Sequence, residues 1–178
     1  EYGYGTVNSI ELQGEMKLVH TDEGDFEARS IIIATGSEHK KIGIPGEDEF
    51  GGRGVSYCAV CDGAFFKNKE VVVIGGGDSA IEEGLYLTQL ASKVTVIHRR
   101  DELRAQKILQ DRAFANDKMD FIWNAQVTTI EGDDKKVTGV TYIDKVTGET
   151  KEVAASGVFI YVGIEPMTVS YTHLRAHE

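Results

Sequence analysis

The chain has two cysteines in 178 residues, too few for a fold stapled by several disulfides, because small secreted domains of that kind are dense in cysteine. A structural zinc centre is disfavoured as well. It needs four ligands, and the available histidines, His20, His39, His98, His173 and His177, provide no pair that follows the cysteines at zinc-finger spacing. No run approaches the ~18 apolar residues of a membrane-crossing helix. Positive charge is scarce: 19 basic residues face 29 acidic ones for a net charge of −10, which argues against a nucleic-acid-binding surface. The sequence opens on Glu1 without a methionine or a visible signal peptide, and its natural start is expected upstream. What remains is 41% apolar content, enough for a real core in one domain, or in one domain with pieces of another.

The two cysteines sit in Cys58-Ala59-Val60-Cys61-Asp62-Gly63, three positions apart. A disulfide closing so small a loop braces a fold poorly: the chain-entropy argument gives roughly 2 kcal/mol for four residues against roughly 3 for fifteen. A pair that stabilises so little, placed just before a dinucleotide-binding signature, reads as a reversible redox couple that carries electrons.

Read in order, residues 1–29 alternate loosely between turn signals and suggest a short antiparallel meander. Ile31-Ile32-Ile33-Ala34 is a continuous apolar run of the kind found in a strand buried on both faces, ended by Thr35-Gly36. Residues 37–53 are charged and glycine-rich, with Pro45-Gly46 and Gly51-Gly52 as turn signals, and read as a linker. A second domain is expected over 54–162 and a second linker with an atypical tail over 163–178.

That second domain opens with the strand Val71–Ile74 and runs directly into Gly75-Gly76-Gly77-Asp78-Ser79-Ala80, a GxGxxA pattern. Gly75 permits the tight turn, Gly77 the approach of a pyrophosphate, and Ala80 close packing of the helix on the strand. Ala80, Gly84, Leu87 and Ala91 fall on one helical face, with Glu82, Glu83 and Gln89 expected to point outward. A second strand, Val94–Ile97, delivers His98, 21 residues past Gly77 (98 − 77). An NAD site would place a carboxylate about 20 residues on, to accept hydrogen bonds from the ribose 2′-hydroxyl. Here His98, Arg99 and Arg100 stand instead, with Arg104 following, and guanidinium groups suit a 2′-phosphate. The residues therefore ask for NADP(H); the bland alternative is a solvated face pairing with Asp101 and Glu102.

A helix over Asp101–Asn116, with Leu103, Ile108, Leu109 and Ala113 inward, leads to a third strand at Phe121–Trp123. Three antiparallel segments follow, Val127–Ile130, Val137–Ile143 and Lys151–Ala154, then a buried strand at Val158–Val162. The fold class is α/β: a Rossmann-like nucleotide-binding domain, a parallel sheet plus a three-stranded antiparallel meander.

The motifs CAVCDG, VIGGGDSAIEE, HRRDELRA and the preceding IIIATG, taken together and in this order, resemble the low-molecular-weight thioredoxin reductases of the flavoprotein disulfide reductase superfamily. The resemblance runs from about Ile31 to Pro166. It implies an FAD domain built from two chain segments, with an NADPH and disulfide domain inserted between them. Residues 1–36 then match the end of the first FAD segment, and Ala34, Thr35 and Gly36 occupy a motif near the flavin. Incomplete pieces of an FAD-binding domain thus flank the inserted one. It further implies that NADPH passes hydride to FAD, that reduced flavin opens the Cys58–Cys61 disulfide, and that the dithiol reduces thioredoxin. Cys61 would adjoin the flavin, Cys58 would attack the partner, and Asp62 would move the thiol proton. The inserted domain would have to rotate about its two linkers between half-reactions, and the intact protein is expected to be a cytoplasmic homodimer. Two alternatives stay open: a relative serving another carrier, such as a peroxiredoxin-reducing protein, and a nucleotide-binding module without catalysis. The chain departs from the family after Pro166: residues 167–178 show no apolar periodicity and read as extraneous or frameshifted sequence.

Overall fold

A computed structural model describes residues 3–167 of the protein. All of the atypical tail except Met167 lies outside the described residues. The chain divides into two compact units, Glu1–Glu38 with Ile164–Glu178, and His39–Gly163.

The smaller unit contains the expected meander: β1 (Val7–Gln13), β2 (Met16–Thr21) and β3 (Gly24–Ala28), antiparallel and in that order. Most of its side chains face solvent, with Ile10 buried opposite Val19. The strand expected at Ile31–Ala34 is absent. That segment carries no ladder among the described residues, and Ile32 is 94% exposed. β-branched residues favour a pleated ladder only when a neighbouring strand takes up their backbone bonds, and among the described residues no strand pairs with this run. Ser37–His39 (β4) instead pairs with Ile164–Pro166 (β13).

In the larger unit the chain runs through β5 (Val55–Ser56), α1 (Ala59–Asp62), a 3₁₀ turn (Gly63–Phe66), β6 (Glu70–Gly75), α2 (Asp78–Leu87) and β7 (Lys93–Ile97). It continues through α3 (Lys107–Phe114), β8 (Met119–Ile122), β9 (Ala125–Gly132), β10 (Val137–Asp144), β11 (Thr150–Ala154) and β12 (Gly157–Tyr161). Five strands form one parallel sheet in the order β5-β12-β6-β7-β8, and β9, β10 and β11 form the expected separate meander.

Strand alternation explains the layering. Val71, Val73, Val94, Val96 and Phe159 project to one face of the sheet and pack with Ala80, Ile81 and Leu87 of α2. Val72, Ile74, Ile97, Val158 and Ile160 project to the other and pack with Val127, Ile130, Val137 and Val140 of the meander. A sheet covered on both faces needs apolar residues at every position, which is why these strands read as unbroken runs. Each fully buried valine contributes on the order of 1.5–3 kcal/mol of transfer free energy. Gly84 lets α2 lie close, since a Cβ there would stand 2.9 Å from the Met119 methyl carbon.

Three local expectations need correcting. Residues 39–53 are not a free linker but part of the larger unit: Phe50 is buried in the meander core, with Ile42 and Ile44 packed against it. The buried Glu47 carboxylate holds this segment together, accepting the Ile42 and Gly43 N–H groups at 3.1 and 2.7 Å and the Tyr57 hydroxyl at 2.7 Å. Helix α3 starts at Lys107, not Asp101, because the Arg104 and Ala105 N–H groups are engaged elsewhere, on the Gly76 carbonyl. Ile108 then lies 67% exposed, whereas Leu103 and Ala113 are buried as expected.

Candidate active site at the C-terminal edge of the parallel sheet

Because β5, β12, β6 and β7 run parallel, the segments that follow them all emerge at one edge. Cys58 lies two residues past β5, the glycine loop joins β6 to α2, and His98–Arg104 follows β7. This is the edge at which open α/β sheets bind ligands.

Cys58 and Cys61 are joined in a disulfide with their Cα atoms 5.3 Å apart. Cys58 caps the single turn of α1, its Sγ accepting the Cys61 N–H at 3.1 Å. Cys61 is exposed and Cys58 half-buried. The buried Ser56 hydroxyl accepts the Cys58 N–H at 3.1 Å and donates to Asp62 Oδ2 at 2.6 Å. Beneath the turn, the Ala59 N–H donates to the Tyr161 hydroxyl at 2.9 Å and to the Glu83 carboxylate at 3.1 Å. Tyr161 donates in turn to Glu83 at 3.4 Å. Burial, then the negative Glu83, push the Tyr161 phenol well above its ordinary value, so it stays a neutral donor.

Ser56, Glu83 and Tyr161 were not singled out by sequence reasoning, and Glu83 was expected to face outward. One signal was available. Glu82 and Glu83 are adjacent, and successive residues on a helix point about 100° apart, so both cannot share the solvent face equally. Glu82 is exposed and Glu83 turns toward the redox turn.

The glycine loop is built as its sequence requires. Gly75 has φ +148°, and a Cβ there would lie 2.4 Å from the Tyr161 carbonyl oxygen and 2.9 Å from the Ala80 Cβ. A Cβ on Gly76 would strike the His98 ring at 2.4 Å, whereas on Gly77 it would meet nothing, so the loop is open on that side. Asp78 and Ser79 are exposed in the first turn of α2, and Ala80 is fully buried.

His98 is separated from its basic neighbours. It is buried at the end of β7 with its Nε2 lacking a partner among the described residues. Burial, then the Arg100 and Arg99 charges, lower its pKa, so it is neutral at neutral pH. Arg99, Arg100 and Arg104 are exposed. Among the described residues no carboxylate lies within ion-pair distance of their guanidinium groups, so the expected alternative of pairing with Asp101 and Glu102 is not formed.

Ala34, Thr35 and Gly36 are exposed in the smaller unit, where the Gly36 carbonyl accepts the Met167 N–H at 3.1 Å. Among the described residues no group of three or more His, Cys, Asp or Glu side chains is placed to hold a metal, and no helix is long and apolar enough to cross a membrane.

The chain is 58% identical over 174 residues to a thioredoxin reductase from Bacillus subtilis (strain 168), covering 98% of this chain and 55% of the relative. A thioredoxin reductase from Streptomyces clavuligerus is 52% identical over 163 residues, covering 91% and 50%. The crystal structure of Lactococcus lactis thioredoxin reductase superposes with a TM-score of 0.84 at 54% identity, over 97% of this chain and 57% of that one. The chain thus spans about half the length of the curated relatives it matches. A family model described as pyridine nucleotide-disulphide oxidoreductase matches residues 3–176, and with a disulfide and a glycine loop at one sheet edge, the chain belongs to that family.

Proposed function

We propose that the intact protein containing this chain uses NADPH and FAD to reduce the disulfide of thioredoxin, with Cys58 and Cys61 as its redox pair. One observation carries the reading: the turn bearing the disulfide is hydrogen-bonded through Ala59 to Glu83 of the helix that follows the glycine loop. Electron-carrying sulfurs and a nucleotide cradle thereby share one small unit. The relatives named thioredoxin reductase support the choice of thioredoxin.

The residues present fit NADP(H). The open side of Gly77, at the N-terminus of α2, leaves room for a pyrophosphate. Exposed Arg99, Arg100 and Arg104 offer charge-assisted hydrogen bonds to a 2′-phosphate. His98 is buried against Gly76, so its support for the site is packing of the glycine loop. When bound, the nicotinamide supplies hydride. For FAD the described residues make no enclosure, since Ala34, Thr35 and Gly36 are all exposed; we assign them to the flavin's surroundings only in the intact protein, and derive no step there.

In the exchange with thioredoxin, a thiolate of the pair attacks the partner disulfide, forming a mixed disulfide and releasing one partner sulfur as thiolate. The second thiol of the pair then attacks the mixed bond, restores Cys58–Cys61 and releases the second partner sulfur. The resemblance gives the movement of the thiol proton to Asp62, and the hydrogen bond that its carboxylate accepts from Ser56 supports that assignment by fixing it beside the cysteine turn. The resemblance gives the attack to Cys58. The exposures favour a second assignment, because Cys61 is the exposed sulfur and Cys58 is half-buried behind its hydrogen bond. Trapping with Cys58→Ser and Cys61→Ser variants separates the two: only the variant that retains the attacking sulfur accumulates the mixed disulfide.

The cytoplasmic, homodimeric state common in the family is carried over as part of this proposal. The test of the whole is a coupled assay of the full-length protein, comparing NADPH with NADH and thioredoxin with other protein disulfides. Preference for NADPH and thioredoxin is expected. Preference for a peroxiredoxin-type carrier would move the assignment to another disulfide, and nucleotide binding without dithiol exchange would leave a binding module.

A further inference from the structure

Asp78 opens helix α2 on the nucleotide side of the glycine loop, yet its carboxylate is already engaged. Its Oδ1 accepts the Gln106 backbone N–H at 2.7 Å, and its Oδ2 accepts the Gln106 side-chain amide at 3.4 Å. Two further bonds join the same stretches of chain, the Gly76 carbonyl accepting the Arg104 N–H at 2.7 Å and the Ala105 N–H at 3.2 Å. The other end of the basic loop is tied as well. The Asn124 N–H donates to the Arg100 carbonyl at 3.0 Å, and Lys145 Nζ donates to the Arg99 carbonyl at 3.4 Å. Leu103 and Ala105 are buried. Residues 99–106 are therefore pinned by their backbone and by two apolar side chains, while the guanidinium groups of Arg99, Arg100 and Arg104 are left exposed.

We propose that Asp78 is a positioning residue that fastens the arginine loop to the glycine loop, and so sets the preference for a 2′-phosphorylated nucleotide without touching the nucleotide. The inference rests on the NADP(H) reading above and deepens it. A carboxylate aimed at the pyrophosphate would repel it; one that accepts two N–H bonds is turned away and partly neutralised. Holding the loop backbone in place before binding removes part of the ordering cost that three long side chains would otherwise meet. That saving applies to the 2′-phosphate alone. On this proposal the adenine, ribose and 5′-phosphate are bound without the arginine loop, which is what the paired nucleotides below test.

The experiment is titration calorimetry of the 178-residue chain with 2′,5′-ADP and with 5′-AMP, the difference reporting the 2′-phosphate. Wild type should bind 2′,5′-ADP more tightly. Asp78→Ala should reduce that preference by roughly fivefold to tenfold while 5′-AMP affinity changes less than about twofold. Asp78→Asn, whose amide oxygen can still accept the Gln106 N–H, should keep most of the preference. Gln106→Pro removes the same bond from the other side at a position whose φ of −58° already suits proline, and should reproduce the loss. Retention of the wild-type preference in both Asp78→Ala and Gln106→Pro would overturn the fastening role and leave the NADP(H) reading standing. Equal loss of both nucleotides in folded variants would also overturn it, giving Asp78 a direct part in binding the shared phosphate. A wild-type preference near one would overturn the NADP(H) reading and this inference together.

Discussion

Ser56 has one hydroxyl proton and uses it on Asp62, at 2.6 Å, while its oxygen accepts the Cys58 N–H at 3.1 Å. A buried side chain that serves both the first cysteine and the carboxylate after the second fixes one relative to the other. Ser56→Ala should therefore slow dithiol-disulfide exchange several-fold, and Asp62→Asn more than that. Both should leave nucleotide affinity unchanged, as read by stopped-flow exchange beside NADPH titration. His98 supplies a second prediction. Its folded pKa lies below the ordinary 6.5 because of burial and the nearby arginines, so the unfolded chain takes up the proton first as pH falls. The stability from burying it neutral is complete above pH 6.5 and lost progressively below that value. His20 works in the opposite sense: its hydrogen bond to Asp25 raises its pKa, so its contribution is present below 6.5 and lost as pH rises through the folded value. The two are separated by substitution. His98→Gln should lessen the fall in urea midpoint between about pH 7.5 and about pH 5.5.

Among the elements, the turn carrying the cysteines spans only four residues, and its anchor lies just behind it. Phe66 closes the 3₁₀ turn, meets Phe159 edge-on with ring centroids 5.3 Å apart, and lies where a Cβ on Gly157 would stand 2.4 Å from its ring. Phe66→Ala should cost about 3–5 kcal/mol of unfolding free energy, and Phe66→Leu clearly less, measured by urea titration. How far the sequence disclosed these elements depends on what each depends on. The parallel strands and α2 were legible because burial on both faces, the GxGxxA spacing and the small residues Gly84 and Ala80 are local patterns. The start of α3 was not, because it is decided by the Gly76 carbonyl, some thirty residues upstream, accepting the Arg104 and Ala105 N–H groups. Glu83 and Ser56 escaped notice for the same reason, since their partners belong to other elements. Residues 39–53 looked like a linker because the glycines there hide the contribution of Phe50, which packs where a side chain on Gly132 would otherwise sit.

At the scale of the molecule, the two units differ in what sustains them. Both apolar cores consist of residues between Phe50 and Ile160, so the larger unit carries its own interior. The smaller unit's meander keeps most of its side chains in water. Hydrogen exchange should therefore protect the amides of β6, β7 and β12 for far longer than those of β1–β3, since local opening is easiest where few apolar contacts must break. Comparable protection in both would mean that the meander is stabilised by more than its own side chains.

The bare row Ile31-Ile32-Ile33 also bears on how this polypeptide behaves in a tube. Branched aliphatic residues with no strand paired to them among the described residues offer an adhesive template to a second molecule. Concentrated samples should cluster through it, as light scattering would register. Placing lysine at position 32 should disperse the clusters without touching either core.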